Sequence, residues 1–308
     1  MFAMPSDLRE QATVLALTEA SPGPWYQVAD VVEEAGSAIA VASRTHDFHD
    51  EGQAVIARLL ADRVNDDMVK RWANVIERTL GHRTNARLLS VLDDDYPQNL
   101  RRVYDRPPFL FVRGTLQDND SRSVAIVGTR SASESGRILA RDMAAALAER
   151  GVTVISGMAA GIDTEAHTAA LDAGGRTIAV MGTGIDRVYP KENTALAEHI
   201  VESGALLSQF WPGAPPRRSN FPLRNVVTSG IALGTIVIEA SATSGAKMQA
   251  RLALEHGKRL FLVESLVLQE EWAQRYRSRR GAQVVHGVDD VVTALESDRE
   301  PVTELQLF

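Results

Sequence analysis

The chain has 308 residues, and 33 Lys+Arg against 40 Asp+Glu give a net charge of -7. Hydrophobic residues make up 44% and charged residues 24%, which excludes intrinsic disorder, and zero cysteines exclude disulfides, thiolate nucleophiles, iron–sulfur clusters and sulfur-ligated zinc. No apolar run approaches the roughly 18 residues of a membrane helix, and Met1 to Glu10 has no basic stretch followed by an apolar one, so a cytoplasmic location is expected.

From Asp7 to Thr84 the chain reads as helices. Apolar residues recur at three- and four-residue spacing at Leu8, Ala12, Leu15 and Ala16, then Val28, Val31, Val32 and Ala35, then Val55, Leu59 and Leu60, then Val69, Trp72, Val75, Ile76 and Leu80. Ser21-Pro22-Gly23-Pro24 breaks the first pair. The Ser43 to Gly52 segment holds His46, Asp47, His49, Asp50 and Glu51. Imidazole and carboxylate together can ligate a metal, but short polar loops are common, so a solvated linker is expected and no metal site is assigned.

From Arg87 the pattern changes. Leu88 to Leu92 and Phe109 to Val112 read as strands separated by an Asp93-Asp94-Asp95-Tyr96-Pro97 turn. Strand-like runs follow at Val124 to Val127, Thr153 to Ser156, Thr177 to Met181, Ala205 to Phe210, Thr235 to Glu239, Arg259 to Val263 and Ala282 to Val285. Helix patterns at Glu134 to Glu149, Asp163 to Ala173, Asn193 to Glu202, Ser244 to Glu255 and Asp289 to Leu295 alternate with them. Near-continuous Val/Ile runs between amphipathic helices predict an α/β fold, a doubly wound, mostly parallel Rossmann-like sheet preceded by a small all-helical region. The expected organisation is a helical (SAM/helix-hairpin-like) domain over 1–85, the Rossmann-like domain over 86–296 and a flexible tail over 297–308.

Ligands in such sheets bind at the carboxyl ends of the strands. The first of these ends is Gly128-Thr129-Arg130-Ser131, where Gly128 permits a sharp turn, Arg130 suits phosphate, and the helix behind Ser133 offers free N–H groups to an anion. The G-x-G-x-x-G spacing is absent, so a dinucleotide is disfavoured. Gly157 and Gly161 bracket the second loop, ahead of Asp163 and His167; His167 is a candidate general base but is expected to pack locally. Gly182 and Gly184 form the third, leading to Lys191. In the fourth, Arg217, Arg218, Asn220, Phe221, Arg224 and Asn225 interleave cations with an aromatic ring. That pattern suits single-stranded nucleic acid, with guanidinium on phosphate and ring on base, although a core Phe221 with solvated arginines fits it equally well.

These pieces resemble the bacterial DNA-processing protein A family (DprA, also called Smf). The resemblance rests on Leu92 to Leu100, Pro107 to Phe111, Val124 to Arg130, Ser156 to Asp163 with Ala166-His167, Gly182 to Asp186 with Tyr189-Pro190 and Asn193, Asn220-Phe221-Pro222 with Arg224-Asn225, and Ser229-Gly230. It implies a Rossmann-like domain that binds single-stranded DNA and delivers it to the RecA recombinase during natural transformation, acting as a homodimer, without catalysis, cofactor or metal. Arg130, Lys191, Phe221 and Arg224 carry over as pocket residues.

Three positions depart from the family pattern. Val226 stands where an arginine is usual, Lys247 lies in an altered Gly-Ser-Leu-Ile-Thr-Ala segment, and Glu264 is expected to bring negative charge near the pocket. The alternative function is therefore a nucleotide-binding sensor or a nucleotide phosphoribohydrolase-like enzyme, in which Glu239 assists glycosidic cleavage. The chain is expected to lack the winged-helix module common in the family. Arg275, Arg277, Arg279 and Arg280 around Tyr276 form a second basic strip. Glu304 to Phe308 faintly resembles peptides that dock on the replication sliding clamp, but a frayed end is expected. Net charge of -7 fits nucleic-acid binding only if the cations gather on one edge.

Overall fold

The structure, a computed structural model, describes residues 4, 6–80 and 85–297. The Glu304 to Phe308 segment lies outside the described residues.

Five helices come first: α1 (Ser6–Ala20), α2 (Tyr26–Ala35), α3 (Ala38–Ser43), α4 (Glu51–Ala61) and α5 (Asp66–Val75), the last continued by one wide turn at Ile76–Leu80. Side-chain caps explain three of the starts, since Ser37, Asp50 and Asn65 each accept from a backbone N–H three residues on. Two details differ from the sequence pattern. The segment before the polar loop forms the extra short helix α3, and on α4 Val55 and Leu59 are exposed while Ala57 and Leu60 are buried.

The remainder builds one nine-stranded sheet. Its strands are β1 (Ala86–Ser90), β2 (Phe109–Gly114), β3 (Ser123–Val127), β4 (Thr153–Ser156), β5 (Thr177–Val180), β6 (Ala205–Ser208), β7 (Gly234–Val237), β8 (Arg259–Val263) and β9 (Ala282–Val285). The helices between them are α6 (Gln98–Arg101), α7 (Glu134–Glu149), α8 (Ile162–Asp172), α9 (Thr194–Ser203), α10 (Asn220–Ile231), α11 (Gly245–Glu255), α12 (Glu264–Gln269) and α13 (Glu271–Tyr276), with α14 (Val288–Ser297) last. The strand order is β1-β2-β6-β5-β4-β3-β7-β8-β9; β3 to β9 pair in parallel, and β1 and β2 run antiparallel to their neighbours. The chain winds outward from β3 to β6, returns to the other side of β3 and winds out again through β7 to β9. The turning point between β3 and β7 is where the crossovers splay apart and leave a crevice beyond the strand ends.

Two apolar cores flank the sheet. One joins Ile126, Val154, Ile236, Phe261, Leu147 and Trp272; the other is continuous from Leu15, Leu17 and Val31 of the helical region to Phe109, Phe111 and Ile178 of the sheet. The helical region is thus fastened to the sheet by shared burial and by charge, since Glu33 of α2 accepts from Arg101 Nη1 and Arg106 Nε, both at 2.8 Å. Trp211, just beyond β6, stacks on Trp72 at 4.5 Å and on Phe109 at 5.0 Å between ring centroids. This pins the start of the loop carrying Arg217 and Arg218 to the helical region. Trp211→Ala is expected to lower stability by about 2–4 kcal/mol, read as an earlier urea midpoint at unchanged slope; a loss below about 1 kcal/mol would refute this account of the cluster.

Candidate nucleic-acid interface

A cleft of about 310 Å³ opens at the turning point of the sheet. Its walls are the Gly128 to Ser131 turn after β3, Gly157 and Ala159 after β4, Phe221 to Thr228 on α10, and the first turn of α11. Crowding explains the glycines. A Cβ on Gly161, which has φ +81°, would lie 2.6 Å from the Arg130 carbonyl oxygen, so only glycine lets the two strand-end loops touch.

The sequence pattern left Asn220 to Asn225 as a loop, but α10 begins at Asn220. Pro222 is tolerated because it sits in the first turn, where amides have no intrahelical acceptor. The helix turns Arg224 inward, and its side chain forms the cleft floor with only 7% of the residue exposed. Arg224 Nη1 donates to the Val180 carbonyl at 3.2 Å, and Nε has no partner. Asp163 is 5% exposed and accepts from the Gly157 and Ala159 amides, each at 3.2 Å. Burial pushes the Asp163 carboxyl up, with Arg224 opposing, and pushes the Arg224 guanidinium down, with Asp163 opposing. A desolvated cation with an unpaired donor beside an open cleft has more to gain from an anion than an exposed one does.

Phe221 lies between the guanidiniums. The Arg130 guanidinium carbon sits 4.9 Å from its ring centroid and that of Arg224 6.0 Å, while Gly182 packs against the ring edge. One ring face is therefore occupied by Arg130, and a base reaches it only if that guanidinium moves. Arg130 itself is exposed and makes no ion pair among the described residues.

Lys191, Arg217 and Arg218 also lie at the carboxyl-end edge, exposed and without ion pairs among the described residues, but they do not line the cleft. Most described arginines elsewhere are matched by a carboxylate, as in Arg106–Asp30, Arg113–Glu198, Arg141–Glu165 and Arg176–Asp120. Gly184 and Asn220 act structurally. Gly184 packs against the Trp211 to Gly213 backbone, and the Asn220 side chain donates to the Gly182 and Pro215 carbonyls.

Three expectations are corrected. The α7 N-terminus is not free for an anion, because Glu239 accepts there from the Ser133 amide at 3.0 Å and hydroxyl at 2.9 Å. A carboxylate already occupies the positive end of the helix. Glu264 is away from the cleft and faces His286 at 3.5 Å beyond β8. Val226 and Lys247 do not line the cleft either; Lys247 Nζ donates to the Ala242 carbonyl. His167 packs in the core and does not line the cleft. It is completely buried, with Nδ1 2.6 Å from Thr177 Oγ1, and burial with the Arg224 charge holds its pKa down to about 3. Because Thr177 Oγ1 donates to the Val154 carbonyl, it accepts from Nδ1, which leaves a neutral ring with Nε2 unpartnered.

Sequence reasoning missed Thr228, Gln249 and the Ser244 to Ala246 turn as lining residues. The Ser244 N-cap was the available signal, since it marks a helix start following a strand end. A separate cavity of about 410 Å³ involves Tyr96, Asn99, Leu116, Asp118 and Ser121, on the segments that join β1 to β2 and β2 to β3.

Residues 87–296 match the family described as DNA recombination-mediator protein A. DNA processing protein DprA of Streptococcus pneumoniae is 38% identical over 208 residues, which cover 67% of this chain and 73% of that protein. Protein Smf of Escherichia coli is 42% identical over 178 residues, 58% of this chain, and the match spans about half of that protein's length, 48%. The solved structure of DNA processing protein A from Streptococcus pneumoniae aligns with a TM-score of 0.72 and 30% identity over 92% of this chain and 97% of that one. That of DNA processing protein A from Helicobacter pylori, described in terms of its single-stranded DNA binding mode, gives 0.61 and 25% over 69% and 96%.

Proposed function

The chain belongs to the DNA recombination-mediator protein A family, and from that premise we propose that it binds single-stranded DNA along the carboxyl-end edge of its sheet and passes it to the RecA recombinase. The observation that carries this reading is the unmatched positive charge there: Arg130, Lys191, Arg217 and Arg218 lack carboxylate partners among the described residues, and Arg224 is held buried in the cleft that Arg130 also lines. In a chain of net charge -7, such segregation focuses attraction on one edge. Arg130 and Arg224 receive a phosphate in the cleft, and the exposed cations guide the flanking backbone. A base can stack on Phe221 only when it is unpaired and the Arg130 guanidinium moves off the ring, so single strands are preferred.

The site is read as binding and not catalytic, because the acid–base groups near the cleft are already engaged. Asp163 caps its loop, Glu239 caps α7 and His167 is neutral and buried. Homodimerisation through the sheet domain is part of the proposal, and light scattering at twice 33.5 kDa tests it. RecA delivery predicts faster RecA filament nucleation on strands carrying this protein.

The decisive experiment is fluorescence anisotropy with a single-stranded oligonucleotide and its duplex at two salt concentrations. The plot of log Kobs against log salt is expected to have a slope of about -3 to -4 for five single-strand phosphate contacts. Arg130→Ala is expected to weaken binding about tenfold and to make that slope shallower by about 0.7. Equal affinity for duplex, or no binding at low salt, would overturn the reading.

A further inference from the structure

Beyond the cleft, α13 and the turn after it carry Arg275, Arg277, Arg279 and Arg280, all exposed and none with an ion pair among the described residues. The segment is held rigidly. Trp272 is 1% exposed and its indole donates to the Ala240 carbonyl at 3.0 Å, just past β7 where the cleft wall begins. Tyr276 packs edge-on against Trp272, with ring centroids 5.3 Å apart, and the Arg279 guanidinium carbon lies 5.0 Å from the centroid of the Tyr276 ring. At the far end Gly281 abuts Leu254 of α11 and accepts from the Leu260 amide at 2.8 Å. Pinned beside the end of β7 at one end and beside the last turn of α11 at the other, the run lies alongside α11. The first turn of α11 lines the cleft, and the helix carries Lys247 and Arg251 one turn apart on one side.

We propose that Arg275, Arg277, Arg279 and Arg280 form a second phosphodiester-binding strip that takes up the strand after it leaves the cleft, with α11 between the two. Four like charges within six residues, none neutralised internally, repel one another, and a polyanion relieves that repulsion by displacing its own counterions. Tyr276, once the Arg279 guanidinium moves off its ring, supplies the stacking surface that sequence-tolerant single-strand sites combine with such charge. The inference rests on the cleft binding single-stranded DNA, and it adds a length requirement that the cleft alone does not impose.

The test compares oligonucleotides of about 5 and about 16 nucleotides on the full chain and on its quadruple Arg→Ala variant at these positions. The variant is expected to lose about tenfold or more in affinity for the longer strand and to hold the shorter one within twofold. Its salt slope with the longer strand is expected to be shallower by about 2 to 3. The quadruple Arg→Lys variant keeps the charge and is expected to restore that slope. Unchanged affinity and slope for the longer strand, or a parallel loss for both lengths, would overturn the strip while leaving the cleft intact. If the unmodified chain binds neither length, the cleft reading fails first and the strip loses its ligand with it.

Discussion

Alanine at Gly157 is expected to remove tight single-strand binding, by tenfold or more, and to lower stability by about 2–3 kcal/mol. A methyl group there would fall inside the Arg224 guanidinium and lie 2.6 Å from Nη2. The side chain is the part that yields: the guanidinium gives up its Nη1 bond to Val180 and shifts toward the cleft it lines. The β4 loop holds its place. Asp163 holds the Gly157 and Ala159 amides, and Asn193 Nδ2 holds the carbonyl of Met158, a buried residue at φ +63°. Gly245→Ala is the matched control, since open space surrounds that position in the same cleft wall, and its stability is expected to stay within about 0.5 kcal/mol. Arg224→Met separates charge from packing: single-strand binding should fall while the fold persists. Wild-type affinity in Gly157→Ala would refute the role given to the buried guanidinium.

The second large effect is acid lability. His167 has its pKa held down to about 3 in the fold, against about 6.5 when unfolded. Below 6.5 the unfolded chain takes up a proton that the native state refuses. The stabilisation is complete above that pH and falls by about 1.4 kcal/mol per unit as pH drops toward 3. Asp163 acts in the opposite sense: its raised pKa favours the native state at low pH and loses that contribution as pH rises from 3.8 to the raised value. The two windows overlap, so the informative quantity is the difference between the wild type and His167→Leu. Urea unfolding between pH 7 and pH 4 should show wild-type stability converging on the variant's by about 3 kcal/mol. Parallel pH profiles would show that the ring is not a neutral buried group.

The central α/β strands were readable because each buries both faces and therefore runs rich in Val, Ile and Leu. That requirement leaves a mark in any seven or so residues, as at Val124 to Val127 and Arg259 to Val263. The helix α10 was not readable. Asn220, Pro222 and Asn225 lower helix propensity, and the helix persists because Val227, Thr228, Ser229 and Ile231 are buried against the sheet and α6. Residue type likewise marked Arg224 and Glu239 as charged but not what they face. An arginine in the second turn of a helix reads as solvated, and a glutamate after a strand reads as a candidate acid, until the fold buries the first beside Asp163 and closes the second onto Ser133.

By itself the sequence determined the architecture, the edge on which cations collect and the family, because periodicity, glycine turns and motif order are properties of contiguous residues. Only the tertiary structure decided which cations converge. It put Arg224 beneath Gly157 from 67 positions away, gave the α7 N-terminus to Glu239, removed His167 from the chemistry and set Glu264 apart from the cleft. Those outcomes depend on distance and desolvation between strand-end loops, and neither quantity is encoded in any one loop.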